Sequence, residues 1–361
     1  MPPATPRWDR CVTHRDPDVR MFIREYFGGA DRRIAVIAAA GFDPRSAVVC
    51  RLLSQASRNV RAVLVREDRP NPARELQTRA EENLAKIRTL LPTHKVLNVS
   101  VLGEKNAVVG GRNIVEALRK EVFDGVTDVV IDSSALSVGI GFPLIHYMDQ
   151  LVGKSRAPRN LHVFVALDAG LDDSIRPVAS DTVTPVHGLR GNLGLDGHAG
   201  AKKLWLPQLA RGRRPILRKI YESLGVVHDV CPILPFPASN PRLGDDLTED
   251  FLIEFESTWN VDARNIVYAA ENAPLDLYRT ILRIDDLRQS IFEDLGGSKL
   301  ILSPVGSKVL ALGALMSAIE RQLPVVYVEA IGYEYPSLPP ASASDPDVDL
   351  IHVWLAGEVY P

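Results

Sequence analysis

Ser303-Pro-Val-Gly-Ser-Lys308 is the stretch whose residue types and spacing could do the most chemistry. It stands between a short apolar run, Leu300-Ile-Leu302, and a run carrying Val309, Leu310, Leu312, Leu315, Met316 and Ile319 at helical spacing. That is the pattern of a covered strand feeding a helix. Pro304 and Gly306 break the strand, and Ser307 stands where a helix N-cap should be. Such a junction leaves free backbone N–H groups and a positive dipole end at the carboxyl edge of a sheet, a sound place for a phosphate or another anion. Ser303 and Ser307 would add hydroxyl donors and Lys308 a full charge. The order Gly-Ser-Lys, with no upstream glycine at G-x-x-x-x-G spacing, excludes a Walker A loop. The same residues also fit an ordinary turn with a capping serine and a solvated lysine.

A second set lies in the first half. Arg33 to Ala40 reads as a strand and runs into Gly41-Phe-Asp-Pro-Arg-Ser46. Gly41 permits close approach of a ligand, Asp43 could cap a helix or hydrogen-bond a ribose, and Arg45 could pair with phosphate. The alternative has Asp43 capping while Arg45 lies on the surface. Gly110-Gly-Arg112-Asn113 offers another cation, and Asp132-Ser-Ser-Ala-Leu-Ser137 follows the strand Asp128 to Asp132. Asp43, Asp132 and Ser133, with Ser134 beside them, are the catalytic candidates for hydrolysis. No histidine stands at a predictable distance from them and there is no G-x-S-x-G, so no triad can be assembled. Nor does G-x-G-x-x-G follow the first strand; Gly139-x-Gly141 comes after the fourth. Lys202 to Lys219 holds seven basic residues and no acid, either a phosphate-recruiting patch or, in the favoured reading, the solvated side of a helix. Asp345, Asp347 and Asp349 lack the glycine and terminal glutamate of a calcium loop and read as solvated acids.

Alternating strand and helix patterns must position these turns. In the first half the strands fall at 33–40, 60–66, 95–102, 128–132 and 161–167. In the second they fall at 203–207, 229–234, 265–270, 299–303 and 325–329, with helices at 213–224, 246–258, 275–293 and 307–321. The expected fold class is α/β, with two tandem Rossmann-like doubly wound parallel sheets. Residues 1–30 read as a leading helical segment capped by Asp16 or Asp18, 31–170 as the first domain, 171–201 as a linker loop rich in turn formers, and 202–361 as the second domain, closed by Leu350 to Leu355. In each half the fourth strand ends in a serine-rich turn, which makes the halves a pseudo-repeat.

The bulk numbers bound the function. Apolar residues make up 46% and charged residues 24% of 361, ordinary for a globular protein. A net charge of −3 gives no global basic field for nucleic acid, so any anion site is local. No run reaches membrane-spanning length, and MPPATPRWDRC has no signal-peptide core. Three dispersed cysteines and eight histidines outside any zinc spacing point to a cytoplasmic protein with reduced thiols and no metal. No cofactor is expected.

The first strand with Gly41-Phe-Asp-Pro-Arg45, taken with the Ser303–Lys308 turn and its helix, resembles the CRISPR-associated Rossmann-fold sensor (CARF) domains. A tandem pair of such units is similar to the SAVED domains of bacterial antiphage systems. The resemblance implies a cyclic or linear oligonucleotide second messenger bound at the carboxyl edge of the sheets. Ser303, Ser307 and Lys308 would match the phosphate-holding turn; Gly41, Asp43 and Arg45 would face the ligand in the first half. It also implies a separate effector protein. The expected ligand-binding set is Gly41, Asp43, Arg45, Arg112, Ser134, Ser303, Gly306, Ser307 and Lys308, in a nucleotide- or phosphate-ligand-binding protein free of the membrane and able to oligomerise. The rival expectation is a hydrolase or transferase acting on a phosphorylated or ribosyl substrate in an inter-domain cleft.

Overall fold

The computed structural model describes residues 5–154, 158–191, 201–336 and 347–360. Its first elements are β1 (Thr13–Arg15), α1 (Asp18–Tyr26), β2 (Ile34–Ala39), α2 (Val48–Ala56), β3 (Val60–Asp68), α3 (Arg74–Leu90), β4 (His94–Ser100), α4 (Gly110–Leu118), β5 (Asp128–Asp132), α5 (Val138–Leu151), β6 (Asn160–Leu167) and α6 (Ala169–Ser174). Then come β7 (Arg176–Pro185), β8 (Lys202–Pro207), α7 (Arg214–Ser223), β9 (Asp229–Val230), β10 (Ile233–Pro235), α8 (Leu243–Asp250), β11 (Val267–Ala269), α9 (Pro274–Phe292), β12 (Ser298–Ser303), α10 (Lys308–Arg321), β13 (Val326–Glu334) and β14 (Asp349–Ala356).

The chain forms two compact units: Cys11–Val178 with Ala330–Pro361, and Met1–Arg10 with Ala179–Glu329. In the unit that holds most of the first half, β2 is buried at every position, which is why IAVIAA runs apolar without alternation. It pairs in parallel with β3 on one side and β5 on the other; β4 lies beyond β3 and β6 beyond β5. Counted from β2, the parallel order is third, second, first, fourth, fifth, so the winding reverses between β2 and β5.

The other unit repeats that order in shorter pieces. β8 pairs in parallel with β9 and with β12. Cys231 and Pro232 interrupt the second strand, and β10 resumes it, bridged in parallel to Gln208 and paired with β11. On the far side of β12, Leu302 bridges Val325 in parallel at the start of β13. Counted from β8, the order is again third, second, first, fourth, fifth, with the reversal between β8 and β12.

Three expectations need correction. The sequence pattern places the last strand in the second half, but β14 pairs antiparallel with β6, and β1 pairs antiparallel with β14, completing a seven-stranded sheet around β2. Covered on both sides, β14 is buried from Leu350 to Ala356, as its run LIHVWLA requires. The stretch 171–201 contains the end of α6 and the ten-residue β7, which pairs with β13. Only Ser180 of β7 is buried, so no apolar alternation betrays the strand. Finally, α1 starts after Pro17 without a side-chain cap. Asp16 instead accepts from the Leu350 backbone N–H at 3.0 Å and ties the leading segment to β14. Residues 192–197 of the turn-rich run and Asp345 lie outside the described residues. No described helix is long and apolar enough to cross a membrane.

Candidate binding site at the sheet reversal points

At the β8/β12 reversal, α10 begins directly after the turn. Ser307 caps it, its hydroxyl accepting from Leu310 N–H at 3.4 Å. The helix runs 14 residues, long enough for its first-turn N–H groups and dipole to present a positive end. Ser303 is fully buried and its hydroxyl accepts from the Trp205 indole N–H at 2.9 Å, so it braces the strand end from the core side. Gly306 lies against Gln208: a Cβ there would stand 3.3 Å from the Gln208 Cβ and 3.4 Å from its Oε1. Lys308, half-buried, opens the helix.

Gln208 is the residue that sequence reasoning missed. It follows β8 directly, and its backbone N–H donates to Ser303 O at 3.0 Å, clamping the two central strands where they end. Its side chain is 1% exposed, yet neither Oε1 nor Nε2 has a hydrogen-bond partner. Leaving a buried amide donor and acceptor unmade costs about 1–3 kcal/mol for each group. The signal in the sequence was its position, the residue next to the end of the first strand of a doubly wound series.

At the β2/β5 reversal the candidates form a closed polar cluster. Asp43 accepts from Arg45 N–H at 2.9 Å, starting a short turn of helix ahead of α2, and pairs with the Arg45 guanidinium through Nε at 3.0 Å and Nη2 at 2.8 Å. Arg45 is 3% exposed and also reaches Asp172 at 2.8 Å. Burial alone would lower the pKa of that guanidinium; Asp43 and Asp172 outweigh it and push the pKa up. Asn83 donates to the carbonyls of Gly41 at 2.8 Å and Asp43 at 3.1 Å, fixing the turn. A Cβ at Gly41 would meet nothing within 4 Å, so this glycine is not demanded by crowding.

Asp132 ends β5 opposite Ala38. Its Oδ1 accepts from Ser134 N–H at 3.0 Å and from the Ser134 hydroxyl at 2.5 Å, while Ser134 Oγ accepts from Ala166 N–H at 2.8 Å. Its Oδ2 is buried without a partner, as is the hydroxyl of Ser46. Burial raises the Asp132 pKa to about 6, with Asp43 adding to it while the Ser134 bonds and Arg45 oppose. Ser133 is half-exposed beside them.

The turn residues Ser303, Gly306, Ser307 and Lys308 are thus contiguous at one reversal point, and Asp43, Arg45, Asp132 and Ser134 at the other. Arg112 joins neither cluster: its side chain is 61% exposed on α4, 3.9 Å from Glu116. Among the seven basic residues of Lys202 to Lys219, Arg211 pairs with Asp246, Arg218 with Glu254 at 2.5 Å and Lys219 with Asp181 at 3.1 Å. Acids from β7, from α8 and from Glu254 just beyond it therefore neutralise part of that run internally.

Compared with known proteins, the chain matches no family and no curated sequence. Among solved structures it is similar to the delta-N METTL16 MTase domain, at 12% identity over 46% of this chain and 74% of that one, with a TM-score of 0.24. It is also similar to the cytoplasmic domain of a prokaryotic cation chloride cotransporter, at 11% identity over 83% of this chain and 96% of that one, with a TM-score of 0.23. Those scores carry no functional argument, and the Rossmann-like class of this chain stands on its own strand order.

Proposed function

We propose that this chain binds a phosphate-bearing nucleotide or oligonucleotide at the start of α10 and works as a sensor, its ligand leaving intact and its output delivered by a separate effector protein. The observation that carries this reading is the unpaired Gln208 amide beside Gly306. A phosphoryl oxygen accepts from Gln208 Nε2 and from the first N–H groups of α10, while Lys308 supplies charge. The Oε1 atom calls for a donor on the same ligand, which a ribose hydroxyl or base N–H provides and a phosphodiester group, carrying no proton, does not. Antiphage signalling by cyclic oligonucleotides is the biological setting that the CARF and SAVED resemblance suggests.

The hydrolase or transferase alternative draws less support. Asp43 is spent on Arg45 and Asp132 Oδ1 on Ser134, which leaves that reading a single unpaired carboxylate oxygen, Asp132 Oδ2, against both amide atoms of Gln208 for the binding site. Calorimetric titration with mononucleotides, linear dinucleotides and cyclic oligonucleotides, followed by mass spectrometry of the recovered ligand, tests the proposal. Binding without turnover, weakened at least tenfold in Gln208→Leu and in Lys308→Ala, is the expected result. Wild-type affinity in Gln208→Leu removes the site, and recovery of a converted ligand replaces the sensor with an enzyme.

A further inference from the structure

Across the face of the seven-stranded sheet covered by α1 runs a ladder of three histidines that ends on an aspartate. His14 on β1 stands in register with His352 on β14, and their Nδ1 atoms are 2.9 Å apart. His352 Nε2 lies 3.0 Å from His162 Nδ1 on β6, and His162 Nε2 lies 3.3 Å from Asp128 Oδ1 on β5. His162, His352 and Asp128 are fully buried, whereas His14 is half-exposed. Phe22 stacks on His14 and His352 from α1, and Phe164 stacks on His352 from β6.

We propose that this ladder is a proton-binding latch that holds β1 and β14 on the sheet and releases them in acid. The proposal is independent of the nucleotide site. A contact between two ring nitrogens holds one proton and no more, because two N–H groups repel and two lone pairs do not bond. With Asp128 ionised, all three neutral rings donate in one direction: His14 Nδ1–H to His352, His352 Nε2–H to His162, and His162 Nε2–H to Asp128. The one vacant nitrogen is His14 Nε2. The closed ladder therefore takes a single extra proton, at its exposed end, while the same three rings in water take three. Each broken ring–ring contact admits one of the two excess protons: release of β1 breaks His14–His352 alone, whereas release of β14 breaks both contacts.

The surrounding charges do not offset this. Burial lowers the His162 and His352 pKa values, the latter well below the ordinary histidine range, and His162 and His14 depress His352 further. Asp128 opposes the shift at His162, as does Glu358, while Arg32 adds to it. On α1, Asp18 favours charge on His14, yet burial leaves that ring lowered too. Tyr26, also on α1, donates to Asp128 at 3.0 Å, and burial keeps its phenol protonated by raising its pKa.

Amide hydrogen exchange on the full chain between pH 7.5 and 5.0, corrected for the intrinsic pH dependence of exchange, reads the latch directly. With one excess proton for release of β1 and two for release of β14, the opening constant should rise by roughly tenfold per pH unit for residues 13–15 and roughly 100-fold for residues 349–356 below about 6.5. Residues 34–39 and 60–68 on β2 and β3 should change far less. In His14→Phe His352 Nδ1 is vacant, so the closed ladder still takes one proton while the two open rings take two, and the dependence at 349–356 should fall to roughly tenfold per unit. Should that variant fail to fold, His14→Leu, which likewise does not titrate and leaves His352 Nδ1 vacant, should give the same reduction. Opening that is flat with pH, that rises equally on β2 and β3, or that keeps its full slope when His14 is replaced overturns the latch.

Discussion

Asp132 is a carboxylate whose environment opposes its charge. Its folded pKa of about 6 lies above the ordinary value of 3.8, so the folded state holds the proton more tightly than the unfolded chain does. The contribution of this one group to stability is therefore greatest in acid, falls as pH rises between about 4 and 6, and stays reduced above that window by about 3 kcal/mol. Asp132→Asn keeps an oxygen for both Ser134 bonds and removes the ionisation. Chemical denaturation at pH 7.5 should show the variant more stable than wild type, with the difference between the two shrinking as pH falls from 6 to 4. An unchanged pH profile would place the charge cost elsewhere. Arg45 teaches a different lesson at this scale. Its type and spacing after Gly41 allowed a phosphate partner, but only the packed structure reveals that Asp43 and Asp172 already occupy its fork. Arg45→Ala should cost about 3–5 kcal/mol, because it leaves Asp43 buried against the sheet with no counter-charge. Gln208 could not be found by residue type at all, since glutamine carries no motif and its lack of partners exists only in three dimensions.

Elements were more legible than residues because their signals are periodic. The apolar runs of β2, β5, β8 and β12 and the helical spacing after Ser307 place the rims and the start of α10 close to where the structure has them. Alternation failed for β7, whose one buried residue is polar. Helix α10 shows how tight the packing behind the candidate site is. Val309 to Ala318 are buried on every side of it, and Gly313 faces α9 so closely that a Cβ would stand 2.3 Å from the Pro274 carbonyl oxygen. That obstacle is backbone, and no rotamer change relieves it. Gly313→Ala should therefore push α9 away from α10 and lower stability by about 1–3 kcal/mol, despite the better helix propensity of alanine. A melting temperature equal to wild type would mean that the two helices slide apart freely.

At the scale of the molecule, the pseudo-repeat was legible but its closure was not. Local periodicity identifies a strand and says nothing of which sheet receives it. Each half ends in a strand that belongs with the other half's core: β7 follows β6 in sequence and pairs with β13, while β14 follows β13 and pairs with β6. Physically, a series that stopped at β6 would expose an edge whose neighbour in the intact chain is buried along its whole length after Asp349. Cutting the chain between its sequence halves should therefore fail, whereas cutting it along its compact units should succeed. A fragment of residues 11–178 joined by a flexible linker to 330–361 contains the complete seven-stranded sheet, the histidine ladder and the Asp43–Arg45 turn. It should give a single cooperative unfolding transition and protected amides on β2, β5 and β6. Residues 1–178 alone, which are the longer uninterrupted piece of the same half, lack β14 and should aggregate or exchange their β6 amides rapidly. Equal folding of the two fragments would mean that β14 merely decorates the sheet, and the reciprocal placement of the two strands would then be incidental to stability.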